Sequence, residues 1–143
     1  MRILLPNYLF NIMSKVLNIS EAATIAIHSM GLIARSDKLI STREIADTTG
    51  FSKNHTSKIL QQLVKNGYLV STRGPKGGFI ISEIAKEKSL LDIFHLIEGE
   101  LEDNTCKMHC DNCPFSSCIF GGLEQKFTNE FRNYLMTRKV IAL

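Results

Sequence analysis

The sequence predicts a mainly α fold carrying one small β-hairpin, and three observations lead there. Two short helices with capping residues are separated by a glycine turn, a glycine-rich hairpin follows them, and a phenylalanine-rich amphipathic helix closes the chain. A chain of 143 residues with 44% hydrophobic and 22% charged side chains has the composition of one globular domain with an appendage.

Ile19 to Ala34 reads as the first helix, because Ala22, Ala23, Ala26, Ile27, Met30 and Ile33 recur at helical spacing. The S-T-R-E run from Ser41 to Glu44 is a capping box that opens a short helix to about Thr48. Gly50 supplies a turn, and Ser52 caps a second helix that points Ile59, Leu60, Leu63 and Val64 inward before Asn66-Gly67 stops it. A short helix, a glycine turn and a capped second helix form a helix-turn-helix. Tyr68–Thr72 and Phe79–Ser82 are rich in β-formers and flank a loop of Arg73, Gly74, Pro75, Lys76, Gly77 and Gly78, so a hairpin, or wing, follows. Ser89 to Asp92 opens another capped helix that ends at Gly99. Finally, Phe120, Leu123, Phe127, Phe131 and Tyr134 fall on one face of a terminal helix.

The predicted organisation is therefore an N-terminal extension over 1–12, a winged helix-turn-helix over 13–100, a cysteine-rich sensory loop over 101–118 and a long C-terminal dimerisation helix over 119–143. Residues 1–12 are apolar but short and lack a small-residue cleavage site, so they read as an extension, or as preceding a start at Met13, rather than as a signal peptide. No run approaches the roughly 18 apolar residues of a membrane helix. The expected compartment is the reducing cytoplasm, where clustered cysteines serve as ligands or redox sensors rather than structural bridges.

A net charge of +3 is too small to name a partner, but its distribution is informative. From Phe51 to Ser82 the charged residues are Lys53, Lys58, Lys65, Arg73 and Lys76, with no acid. From Glu83 to Asp103 acids dominate. A basic block followed by an acidic one predicts a polyanion-binding face and a second face that stays off it. With the apolar residues of the second helix facing inward, Lys53, Asn54, Ser57, Lys58 and Gln61 face outward at the helix end that enters the major groove, with His55 at the flank. Lysines suit phosphates, and Asn or Gln can pair with adenine edges. Arg73 and Lys76 sit at a wing tip suited to a narrow minor groove. Any one of these features alone is equally an ordinary solvated surface; together they predict binding to double-stranded DNA.

The four cysteines, Cys106, Cys110, Cys113 and Cys118, are spaced C-x3-C-x2-C-x4-C in a polar segment. Structural zinc usually draws on two separated knuckles, whereas iron–sulfur clusters are often held by compact loops, so a 2Fe–2S or 4Fe–4S cluster is the first reading. Zinc and a metal-free thiol switch stay open as alternatives. The apolar stripe of the terminal helix is more than a small winged helix can cover, which predicts a two-fold homodimer reading a pseudo-palindromic operator. Folding back of that helix on its own domain is the competing expectation. No cofactor loop or catalytic arrangement suggests an enzyme; a small iron–sulfur redox protein is the rival class.

The run V-S-T-R-G-P-K-G-G-F from Val70, followed by S-L-L-D-I-F-H-L-I-E-G from Ser89, resembles the Rrf-two family of winged-helix regulators, over Leu17 to about Leu135. The resemblance implies a DNA-binding regulator whose wing arginine, here Arg73, enters the minor groove. Cluster-binding members carry three cysteines before the dimerisation helix plus a non-cysteine ligand. Cys118 matches the third and Cys113 the second, and either Cys106 or Cys110 the first. In one branch the fourth ligand is a carboxylate from the partner subunit, at about the position of Glu21; an all-cysteine site fits equally, and Glu21 also reads as an ordinary first-turn acid. This chain departs from the commoner pattern at His55-Thr56-Ser57, which leaves the operator sequence open.

Overall fold

The computed structural model describes residues 19–102 and 113–143. Helix α1 spans Glu21–Ala34, and the hydroxyl of its N-cap Ser20 accepts the Ala23 N–H at 3.1 Å. It begins two residues later than the periodicity suggests, because Ser20 takes an extended backbone and spends its side chain on the cap. Thr24, Ile25 and Ser29 are buried beside Ala23, Ala26, Met30 and Ile33, so α1 is enclosed on most sides rather than along one stripe.

Helix α2, Thr42–Thr49, opens with the predicted capping box: Ser41 accepts the Glu44 N–H and the Glu44 carboxylate accepts the Ser41 N–H at 2.8 Å. Gly50 ends it in the left-handed region, at φ 78°, where a side chain would be strained. Helix α3, Lys53–Lys65, buries Thr56, Ile59, Leu60 and Leu63. Thr56 was not legible as an inward residue, since a hydroxyl does not mark an apolar face, whereas Val64 is only half-buried.

Strands β1, Leu69–Thr72, and β2, Gly78–Ile81, pair antiparallel with Leu69 opposite Ile81 and Thr72 opposite Gly78. Leu69, Phe79 and Ile81 face the core, while the cross-strand pair Val70 and Ile80 faces solvent. Ile40 adds an isolated bridge on the outer side of β2 by exchanging two backbone bonds with Phe79, at 3.2 and 2.9 Å. This close approach needs Gly78: a Cβ there would lie 2.7 Å from the Ile40 carbonyl oxygen. The return strand lies one residue earlier than predicted, taking in Gly78, because Ser82 leaves it to cap helix α4, Glu83–Lys86, too brief for periodicity to reveal.

Helix α5, Leu90–Glu98, has a second capping box, between Ser89 and Asp92. Burial works against the Asp92 charge, but the Ser89 N–H and hydroxyl, with Lys88 and Lys139, outweigh it and hold the carboxyl below its ordinary value. The terminal helix α6 spans Leu123–Thr137. It starts later than the apolar spacing predicts, since Gly121 and Gly122 both have positive φ, so Phe120 precedes the helix instead of riding on it. The chain then docks back: Leu90 N–H donates to the Arg138 carbonyl at 2.9 Å and Val140 N–H to the Lys88 carbonyl at 3.0 Å. That docking buries Val140 at the start of a 3-10 turn, Val140–Ala142.

One core joins these elements, with Ile25, Met30, Ile33, Ile45, Leu60, Leu63, Ile93 and Val140 fully enclosed. Each such side chain contributes about 1.5–3 kcal/mol relative to exposure. That core fixes how α2, α3 and the hairpin present their outer surfaces.

Candidate nucleic-acid interface and cysteine segment

The core sets the rotation of α3. With about 100° per residue, Asn54, Lys58, Gln61 and Lys65 form a stripe about 60° wide directly opposite Thr56, Ile59, Leu60 and Leu63. All four are exposed, as is Lys53 beside them, while Ser57 and His55 are half-buried. The stripe therefore contains three of the predicted DNA-facing side chains (Asn54, Lys58 and Gln61) and adds Lys65, whose i+4 and i+7 spacing to the others was already a signal. Lys53 and Ser57 flank it on one side.

His55 lies on the other flank, where its Nδ1 is 3.7 Å from a carboxylate oxygen of Glu21 in the first turn of α1. Gln62 shares that flank, two turns further along, and its amide donates to the Leu96 carbonyl at 3.3 Å. His55 thus sits beside the protein's own Glu21, off the outward stripe.

At the hairpin tip Arg73 and Lys76 are both exposed, with Gly74 and Pro75 between them. The tip closes on itself through a Gly77 N–H bond to the Gly74 carbonyl at 2.9 Å. Its two cations are therefore carried on a compact turn anchored to the core through Phe79 and Ile40. No acid occurs in the sequence between Lys53 and Lys76. A helix presenting lysines and amides, with a cationic loop on a narrow hairpin, can neutralise phosphates and offer hydrogen-bonding groups to base edges.

Of the four cysteines, Cys113 is half-buried and Cys118 exposed, both as free thiols on non-helical backbone. Cys106 and Cys110 lie outside the described residues. Among the described residues no three His, Cys, Asp or Glu side chains are grouped to hold a metal ion. Glu21 stands apart from Cys113 and Cys118 in that sense, on its own His55, with its side chain still 56% exposed. The Cys118 carbonyl accepts the Gly121 N–H at 2.9 Å, which joins the cysteine segment to the turn that starts α6.

The apolar residues of α6 divide between two faces. Phe131 packs edge-on against Phe94 with ring centroids 5.3 Å apart, and Leu135 is buried in the core. Leu123, Phe127 and Tyr134 lie on a stripe turned about 80° away from these two. They remain 46%, 50% and 54% exposed, and Ile119 and Phe120, just before the helix start, are exposed too. Among the described residues, no helix is long and apolar enough to cross a membrane.

Comparison with known proteins agrees with this geometry. The Rrf2 family, described as an iron-dependent transcriptional regulator, matches residues 19–142. The HTH-type transcriptional regulator NsrR of Bacillus licheniformis is 31% identical over 103 residues, which is 70% of this chain and 69% of that protein. A putative HTH-type transcriptional regulator of Rhodopseudomonas palustris, BadM, is 40% identical over 67 residues, and the match spans 43% of its length. The solved structure of CymR, the global cysteine regulator of B. subtilis, superposes with a TM-score of 0.68 at 19% identity, covering 87% of this chain and 93% of that one.

Proposed function

The chain belongs to the Rrf2 family of transcriptional regulators, and from that premise we propose that it is a homodimeric, operator-specific DNA-binding repressor controlled by an iron–sulfur cluster on its cysteine segment. The observation that carries the DNA-binding part is the exposed stripe Asn54, Lys58, Gln61 and Lys65, opposite the core, together with the exposed wing-tip cations Arg73 and Lys76. Lysines there supply phosphate contacts, and Asn54 and Gln61 supply the two-pronged groups that read adenine. Arg73 enters the minor groove next to the helix's major-groove site. Such a protein works in the cytoplasm, with the chromosome.

The second copy is supported by Ile119, Phe120, Leu123, Phe127 and Tyr134, an exposed apolar surface that a twin surface would cover. Two-fold pairing through it puts two recognition helices on one duplex, which then reads a pseudo-palindrome with half-sites one or more turns apart.

The donor chemistry fits an iron–sulfur centre. Cys113 and Cys118 are accessible free thiols on irregular backbone, the soft ligands that iron and sulfide prefer, and the family is described as iron-dependent. Cys113, Cys118 and either Cys106 or Cys110 would hold the group, with Glu21 of the partner subunit or the remaining cysteine completing it. When bound, the group supplies a redox- and nitric-oxide-reactive centre. The chain's own part is mechanical: Cys118 leads through Gly121 and Gly122 into α6, so a change at the thiolates alters how the two DNA-reading heads are set.

Anaerobic purification with an absorption spectrum and iron, sulfide and zinc analysis tests the cluster, and selection of a duplex from a random pool tests the DNA reading. The expected protein is brown, with equal iron and acid-labile sulfide, and enriches a pseudo-palindromic site. A colourless protein that resists reconstitution would overturn the cluster and leave a thiol switch or zinc. Failure to enrich any sequence would overturn operator recognition.

A further inference from the structure

One flank of the recognition helix α3 is wired to two other turns, and the wiring closes on itself. His55 reaches Glu21 in the first turn of α1, and Gln62 donates to the Leu96 carbonyl in the last turn of α5. Those two turns are in turn joined to each other, because the Ser20 hydroxyl that caps α1 also donates to the Glu98 carboxylate. The α5 turn immediately precedes the cysteine segment in the chain. Just beyond it, the Leu101 carbonyl accepts a hydrogen bond from the Arg132 guanidinium of α6 at 3.1 Å.

The Gln62 bond differs from the other two sides of this triangle. It is partly buried, it joins residues 34 apart, and its acceptor is a backbone carbonyl near the free end of a helix. A C-terminal helix carbonyl lacks an intrahelical donor, so Gln62 satisfies a group that would otherwise look for water. A displacement of the α5 turn is therefore resisted by, and passed to, the helix whose adjoining face carries Asn54, Lys58, Gln61 and Lys65.

We propose that Gln62 is a positioning residue for operator reading: its amide locks the recognition helix to the last turn of α5, so that movement of that turn is carried to Asn54, Lys58 and Gln61. The proposal rests on the DNA-binding reading above and adds to it a residue that makes no DNA contact itself.

The test uses the full chain and a duplex that the wild type selects from a random pool. Gln62→Met keeps the volume and removes the donor. It should lower affinity for the selected duplex about fivefold, the effect of one ordinary hydrogen bond. Affinity for random duplex and its salt dependence should not change, and the unfolding midpoint should fall only slightly, as loss of one partly buried hydrogen bond requires, whereas loss of a direct phosphate contact would flatten the salt dependence. Glu98→Ala breaks the Ser20 side of the triangle without touching the α1 cap. Combined with Gln62→Met it should give less than the sum of the two losses, as coupled residues do. Selected-duplex affinity equal to wild type in Gln62→Met, or strict additivity with Glu98→Ala, overturns the proposal. Amide hydrogen exchange separates this from failure of the DNA reading. Gln62→Met should speed exchange across residues 95–102 and at the start of α1 even if no duplex is ever enriched, and unchanged exchange there again overturns it.

Discussion

The recognition helix α3 and the terminal helix α6 are of similar length, both amphipathic, and both half-buried, yet they leave opposite kinds of surface uncovered. Helix α3 gives its apolar side chains to the core and exposes lysines and amides. Helix α6 gives only Phe131 and Leu135 to the core and leaves Leu123, Phe127 and Tyr134 outside. A polar exposed face costs nothing in water and needs a partner only if its charges are to be used. An apolar exposed face is unfavourable alone and is relieved by covering. The first therefore suits a polyanion that binds reversibly, and the second suits a lasting protein contact such as the proposed second copy.

The contrast is sharpest within α6 itself, where Phe127 and Phe131 are one turn apart. Phe131→Ala should destabilise the folded chain by about 3 kcal/mol, by removing the ring that packs on Phe94, as read from denaturant unfolding. Phe127→Ala should leave the unfolding midpoint of the monomer in place and weaken dimerisation about a hundredfold, as a hot-spot aromatic does, measured by sedimentation at falling concentration. If instead Phe127→Ala destabilises the monomer as strongly as Phe131→Ala, the stripe belongs to the chain's own core and the comparison collapses.

On α3, Lys58→Ala should lower DNA affinity about tenfold and reduce the salt slope by about one counterion, with stability unchanged. Arg73→Ala should fall in the same range and show its loss most on duplexes with narrow A·T-rich minor grooves. A fold-destabilising effect from either would contradict their exposure.

The smallest effect concerns pH and the second capping box. Asp92 has a folded-state value held below its ordinary one, by the Ser89 N–H and hydroxyl and by Lys88 and Lys139, against the opposing effect of burial. Such a group contributes stability that is present above its unfolded value and is lost as pH falls through the folded one. Stability should therefore drop in acid below the ordinary carboxylate range, and Asp92→Asn should flatten part of that slope in urea titrations at successive pH values. An unaltered slope would show that the box contributes no pH-dependent stability.

Much of this architecture is legible in the sequence because its signals are local. Ser41 and Glu44, or Ser89 and Asp92, can only satisfy each other's backbone groups at the start of a helix, and no distant residue is needed. Gly50 and the Arg73 to Gly78 run carry their own conformational preferences. The candidate DNA face was readable for the same reason: once Ile59, Leu60 and Leu63 are inside, helical geometry puts Asn54, Lys58 and Gln61 outside. Lys65 follows from that geometry too.

What was not readable depends on groups far apart in the chain. Helical spacing puts His55 at the flank, but nothing near it announces Glu21 as its neighbour, and nothing near Gln62 announces a bond to Leu96. Phe120, Leu123, Phe127, Phe131 and Tyr134 look like one stripe because spacing alone cannot tell which of them meets Phe94. Gly121-Gly122 could be read as a pause in the helix or as its boundary, and the backbone settles on the boundary.

The sequence by itself determined where the capped helices α2, α3 and α5 start and stop, where the hairpin turns, and which side of α3 is polar, since those depend on capping groups, backbone preference and helical period. Only the tertiary structure decided how α6 divides its aromatic residues, how Ile40 joins the hairpin and how α3 is tied to α1 and α5. Those outcomes rest on long-range packing and hydrogen bonds, whose energies depend on a neighbour that the local chain does not specify.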